Sequence, residues 1–209
     1  MQKDSIILPI KAFIKQFPKL TRFLANYVDH FYEDYSVHKV FLEKNRSKTL
    51  KLNLGSGADS IDVVQCMQLS EHVENPRKMA LEIHRALKPE GDVFLTVPFM
   101  YPYHEAPIDL NRWSQEGLKN LMKEFSPIQV GVLGGPTATF VEALPGWLSI
   151  ALSFNSDKLY QVIYLLLLPF LKPFKIIDRI LLNKYSSSHR LAAMFYFYGK
   201  KGPSSNTSR

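Results

Sequence analysis

Lys48–Thr–Leu–Lys–Leu–Asn–Leu–Gly–Ser–Gly57 reads as a buried β-strand running straight into a glycine turn. Leu50, Leu52 and Leu54 alternate with Lys51 and Asn53, the period-2 pattern of a strand. Gly55 and Gly57 let the backbone take positive φ or lie against a ligand where a Cβ would obstruct it. In doubly wound α/β folds a strand ending in Gly-x-Gly is where nucleotide-type cofactors dock. Two glycines alone also make an ordinary turn, so the weight of the stretch rests on the residues after it.

Those residues continue the α/β alternation. Ile61–Asp–Val–Val–Gln–Cys–Met67 is a second apolar run of strand length. Asn75 and Pro76 predict an N-cap and first helical position for a helix over about 76–87, with Met79, Ala80, Ile83 and Leu87 on its apolar face. Lys88–Pro–Glu–Gly91 predicts a terminating turn, and Asp92–Val–Phe–Leu–Thr–Val97 a strand covered on both faces. Ser114 caps a predicted helix over about 115–125, Ile128–Leu133 is a short strand, and Gly134–Thr139 a loop. Helical material is expected around Trp147–Phe154, and the aromatic stretch Arg190–Gly199 has the composition of a last strand. Lys200–Arg209 is a polar tail.

The chain has 209 residues, 46% of them hydrophobic, which suits one core with appendages and argues against general disorder. The formal net charge of +7 favours acidic partners such as phosphate or an anionic membrane surface, although a basic protein without such a partner fits equally. No nucleic-acid module is present in the pattern, and no nucleic-acid partner is expected. The single cysteine, Cys66, excludes an internal disulfide and a cysteine metal cluster, and a reducing cytoplasm is the expected compartment. His72, His84 and His104 lack ligand spacing, so no metal is expected.

Two further segments flank the α/β pattern. Over 10–48, Phe13, Phe17, Leu20, Leu24, Tyr27 and Phe31 recur at helical spacing among Lys11, Lys15, Lys19 and Arg22. This is either a helical pair covering the core or a basic aromatic face for membrane or substrate. Between Leu159 and Leu182 a strongly apolar stretch is broken by Pro169 and Pro173. Its uninterrupted run is shorter than the ~20 residues a spanning helix needs. A buried hairpin capping the sheet, and a monotopic element with Lys172, Lys175 and Arg179 at headgroup level, are the two main readings, with a true span as the third.

Taken together, Leu52–Gly57, Ile61–Cys66, Glu71–His–Val–Glu–Asn–Pro76, Glu82–Val93 and Val97–Ser114 resemble the class I S-adenosylmethionine-dependent methyltransferases, most of all the type 11 group. The likeness covers roughly residues 49–140. It implies a Rossmann-like three-layer α/β sandwich with a mostly parallel sheet, closed by an antiparallel last strand. The corresponding division is an N-terminal helical extension over 1–48, a core over 49–140, an apolar helical insertion over 141–188, the closing strand over 189–199 and a tail over 200–209. The resemblance implies S-adenosyl-L-methionine as cofactor, held by Asn53, Gly55, Ser56 and Gly57 and by Met67, Gln68 and Leu69 after the next strand.

The loop after Val97 leaves the carboxyl end of a parallel strand, the position where open α/β sheets bind ligands. Its polar residues His104, Asp109 and Arg112 are the catalytic candidates: a histidine to deprotonate a hydroxyl, and an arginine to hold phosphate or carboxylate. An Asp109–Arg112 ion pair that fixes the loop is the structural alternative. Glu71–His72 reads as structural. The expected function is methyl transfer to an oxygen or nitrogen of a small-molecule, glycan- or lipid-linked acceptor, in the cytoplasm or at the inner membrane face.

One part of the family pattern is missing. The fold expects a crossover helix and two strands between the glycine turn and the Ile61 strand, yet only Gly55–Ser60 lies there. Parallel neighbours need a crossover of about a dozen residues or more. In the family's strand order 3-2-1-4-5-7-6 the two lost strands lie at one edge, so 1-4-5-7-6 can still form a truncated sheet. The competing expectation is a non-catalytic member acting in membrane-surface or partner binding.

Overall fold

The computed structural model describes residues 41, 43–45, 61–103 and 108–203. The strand at 50–54, its glycine turn, the link ending at Ser60, the tail beyond Pro203 and, apart from residues 41 and 43–45, the helices expected over 10–48 lie outside these residues. Four strands are described: β1 (Ile61–Met67), β2 (Leu87–Pro98), β3 (Phe125–Gly134) and β4 (Met194–Lys201). Helix α1 (Pro76–Ala86) joins β1 to β2, and α2 (Gln115–Leu121) lies between β2 and β3. Helices α3 (Pro136–Leu152), α4 (Asp157–Leu171) and α5 (Ile176–Ile180) fill the connection to β4.

The sheet order is β1-β2-β4-β3, with β1 and β2 parallel and β4 antiparallel to both its neighbours. Thus β1, β2 and β3 share one direction and the last strand closes against it. This is the 4-5-7-6 portion of the expected order, in a Rossmann-like α/β architecture. Each β2 residue from Asp92 to Pro98 has a β4 partner, Asp92 opposite Lys200 and Pro98 opposite Met194.

Local chemistry sets the element ends. The Asn75 side chain accepts from Lys78 N at 2.9 Å, and Pro76 needs no donor at the first position of α1. Ser114 caps α2 in the same way through Gly117 N at 3.1 Å. At Lys88–Gly91 the structure differs from the expected turn: these residues form the lead-in of β2. Leu87 pairs with Ile61, and the register then jumps so that Val63 faces Asp92. The extra residues make a bulge, with Glu90 at φ 62°. Gly91 is required there because a Cβ would meet Lys88 O at 2.8 Å.

The bulge also explains which residues share a face. On one face Ile61, Val64 and Cys66 of β1 join Val93, Leu95, Val97, Phe195 and Phe197 under α1 and α2, with Leu118 and Met122 fully buried. On the other, Val63, Phe94, Tyr196 and Tyr198 pack with Phe41, Leu133 and Ala138. Phe41 lies 5.1 Å from the Phe94 ring, and Lys44 Nζ donates to Tyr198 Oη at 2.5 Å. Tyr198 in turn donates to the buried Asp92 at 3.0 Å. Phe41 and Lys44 are thereby fastened to this face.

The expected loop at Gly134–Thr139 is instead the start of α3. Pro136 takes the first helical position, and the buried Asp178 carboxylate accepts from Thr137 N at 2.9 Å and Ala138 N at 2.7 Å. The 140/141 boundary therefore falls inside a helix. Glu142 and Lys175 form a buried pair at 2.7 Å that ties α3 to the turn after α4, and Tyr164 adds a 3.2 Å bond to Glu142. Helix α4 itself has no buried residue.

Candidate functional site at the strand ends

The carboxyl ends of β1 and β2 lie side by side, and the chain leaves β1 through a tightly held turn. Gln68 sits at φ 47°, in the left-handed region, a conformation that costs free energy in a residue with a side chain. Its N–H donates to Thr96 Oγ1 of β2 at 3.1 Å, and its side-chain amide donates to Met194 Sδ of β4 at 3.3 Å. Three strands thus fix this one residue. Met67 and Gln68 are half-buried and Leu69 is 50% exposed, so the turn presents its surface at the strand ends. Neither Thr96 nor Met194 was signalled by the sequence, because both act through cross-strand pairing.

The loop after β2 is stitched onto this turn. Glu71 O accepts from Leu110 N at 2.8 Å and Asn111 N at 3.2 Å. His72 Nδ1 donates to Ile108 O at 2.6 Å, and Asn111 Nδ2 donates to Val73 O at 2.9 Å. Glu71–His72 is therefore the clasp between the two loops at the strand ends. Both Arg112 nitrogens donate to the Asp109 carboxylate, and Arg112 also donates to Asn111 O at 3.0 Å and Pro102 O at 3.4 Å. Asp109 is 2% exposed and Arg112 27%. The arginine fork is filled by this pair, which closes the loop on itself; an incoming anion would have to displace Asp109. His104 lies outside the described residues.

Glu71 is fully buried, with His72 Nε2 3.8 Å from its carboxylate, and burial followed by the Glu71 charge pushes the Cys66 thiol from 9.0 up to about 12. The positive charge of Arg112 is offset by Asp109. Met67, Gln68 and Leu69 line this turn at the carboxyl end of β1. Asn53, Gly55, Ser56 and Gly57 lie outside the described residues. Among the described residues no group of three or more His, Cys, Asp or Glu side chains is placed to hold a metal.

A separate cleft of about 400 Å³ opens on the α2 side, between Phe99, Phe195, Ser114, Glu116, His189 and Arg190. It contains none of the candidate residues.

A family model described as a methyltransferase domain matches residues 19–128, more than half of the chain. The match begins well ahead of residue 49. No curated protein matches the chain. Among solved structures it is similar to the [4+2]-cyclase SpnF, at 12% identity and TM-score 0.40, over 72% of this chain and 53% of that one. It is similar to phosphoethanolamine N-methyltransferase 2 of Haemonchus contortus, at 20% and 0.36, over 70% of this chain and 34% of that one. A third is geranyl diphosphate C-methyltransferase of Streptomyces coelicolor, at 13% and 0.38, over 72% and 50%. The chain thus spans about half, or less, of the length of these structures.

Proposed function

The chain belongs to the methyltransferase-domain family, and from that premise we propose that it transfers a methyl group from S-adenosyl-L-methionine to an oxygen or nitrogen of a small-molecule, glycan- or lipid-linked acceptor. The observation that carries this reading is the clasped pair of loops at the carboxyl ends of β1 and β2, where open α/β sheets bind ligands. When bound, the cofactor supplies a methyl carbon made electrophilic by its sulfonium.

The chain's own residues have distinct tasks. Met67, Gln68 and Leu69 line one side of the cofactor, with Asn53 and Gly55–Gly57 as its other contacts. The Asp109–Arg112 pair and the Glu71–His72 clasp hold the described part of the loop in place. His104 would accept the proton that the acceptor's hydroxyl or amine loses on taking the methyl group, with the cofactor's sulfonium left as the neutral thioether. Exposed Tyr103 and half-buried Tyr101 offer flat surfaces to a sugar or apolar ring. The proposed compartment is the cytoplasm, at or near the inner membrane face.

Titration calorimetry with S-adenosylhomocysteine tests the reading. Binding that survives His104→Ala, while turnover falls by about two orders of magnitude or more, is the expected result. Absence of heat at millimolar ligand would rule it out. A second reading rests on the short link Gly55–Ser60, which has no room for the family's second and third strands. It makes the chain a methyltransferase-fold protein without catalysis, and the same titration with no heat would favour it.

A further inference from the structure

We propose that the α3–α4–α5 hairpin docks this protein on an anionic lipid surface, lying in the interface without crossing it. This is independent of whether methyl transfer occurs. In α4, Leu159, Val162, Leu166 and Phe170 follow one another at three- and four-residue steps, one stripe of the helix, and all are exposed, Phe170 by 76%. In α3, Trp147 and Ile150 are exposed by 65% and 69%. Single exposed apolar residues need no explanation, but a run of them over consecutive elements marks a contact surface.

The turn between α3 and α4 adds an observation of a different kind. Phe154 and Asn155 both occupy the left-handed region, at φ 48° and 63°. For a bulky phenylalanine this conformation is a rare and costly one. Its ring gains no burial in return, since Phe154 is 87% exposed. A strained turn that presents an aromatic ring to the outside suits insertion into an apolar phase.

Charge selects the occupant. Of the acids in this region, Glu142 is buried against Lys175 and Asp178 is buried capping α3. Exposed Lys158, Arg179 and Lys184 therefore outnumber the one exposed acid, Asp157. A second copy would bring the same cationic rim against itself. Residues 10–28 of this chain carry Lys11, Lys15, Lys19 and Arg22 and no acid, so they too are like-charged. Anionic headgroups above an acyl layer complement both the stripe and the rim. Length fixes the mode: α4 has 15 residues, about 22 Å at helical rise against a hydrocarbon core of roughly 30 Å. Among the described residues no helix is long and apolar enough to cross a membrane.

Vesicle flotation of the full chain tests this, with equal parts phosphatidylglycerol and phosphatidylcholine against phosphatidylcholine alone. The expected result is binding to the anionic vesicles, weakened at least about tenfold by Leu166→Glu with Phe170→Glu. Neutralising the rim with Lys158→Gln, Arg179→Gln and Lys184→Gln should weaken it about a hundredfold. Circular dichroism checks that these variants fold, and Phe154→Glu gives a second reading on the apolar contact if the double variant does not. Equal binding to neutral vesicles, no binding at all, or binding indifferent to Leu166, Phe170 and Phe154 would overturn the proposal. So would sedimentation showing a dimer that Leu166→Glu converts to monomer.

Discussion

At the scale of single residues, Cys66 shows how position overrides intrinsic reactivity. It lies on the carboxyl half of β1, 5% exposed, with a buried carboxylate nearby. Its thiol is raised from 9.0 to about 12, first by burial and then by Glu71. A thiol reagent such as dithionitrobenzoate at pH 8 should therefore label Cys66 only as fast as the chain opens, and rapid labelling of the native protein would contradict this placement. The same shift has a pH consequence. Below 9.0 both folded and unfolded thiols keep their proton, and the contribution is fully present. Between 9.0 and about 12 the unfolded chain loses the proton while the folded chain keeps it, so stability falls as pH rises. Denaturant titrations across that range should show a decline of up to about 1.4 kcal/mol per pH unit from this group. Tyr198, raised from 10.0 chiefly by burial, and Lys44, raised from 10.5 chiefly by its bond to Tyr198, act in the same direction from those ordinary values upward, overlapping the window of the thiol. Cys66→Val should remove the thiol's share and leave theirs.

At the scale of elements, what the sequence revealed depended on whether the determinants were local. β1 was legible to the residue, from seven apolar-rich positions bounded by polar ones. The caps Asn75 and Ser114 were legible because the side chain and the amide it satisfies are three residues apart. The start of α3 was not, because its capping carboxylate is Asp178, some forty residues downstream. Asp178→Ala leaves one buried and one partly buried helix N–H without their acceptor and should cost about 3 kcal/mol in thermal or chemical unfolding. Gly135→Ala tests the same junction differently, since a methyl there would collide with Asn183 and with the Asp178 carboxylate. The site divides along the same line. Asp109 and Arg112, three residues apart, are a pair that sequence alone suggests, whereas the bonds from the 108–111 loop to Glu71, His72 and Val73 join segments nearly forty residues apart. Nothing in either segment announces the other.

For the whole molecule, burial is distributed unevenly, and stability should follow it. Every β2 position from Gly91 to Pro98 is buried, and β4 is buried from Met194 to Gly199 with pairing on both sides. Helix α4 contributes no buried residue, and Tyr164 bonds it to Glu142 of α3. Few buried apolar contacts mean that a segment opens without the rest. Hydrogen exchange followed by mass spectrometry should show β2 and β4 exchanging only through global unfolding, and α4 through a much cheaper local opening. Addition of phosphatidylglycerol-containing vesicles should then slow exchange in α4 and the Phe154 turn selectively, since a docked face gains partners that the free protein lacks. Uniform protection of α4 and β2 in the free protein would show that the hairpin belongs to the cooperative core. Slowing confined to β1 and the 98–113 loop would place the lipid contact at the strand ends, and would make the acceptor, rather than the docking surface, the membrane component.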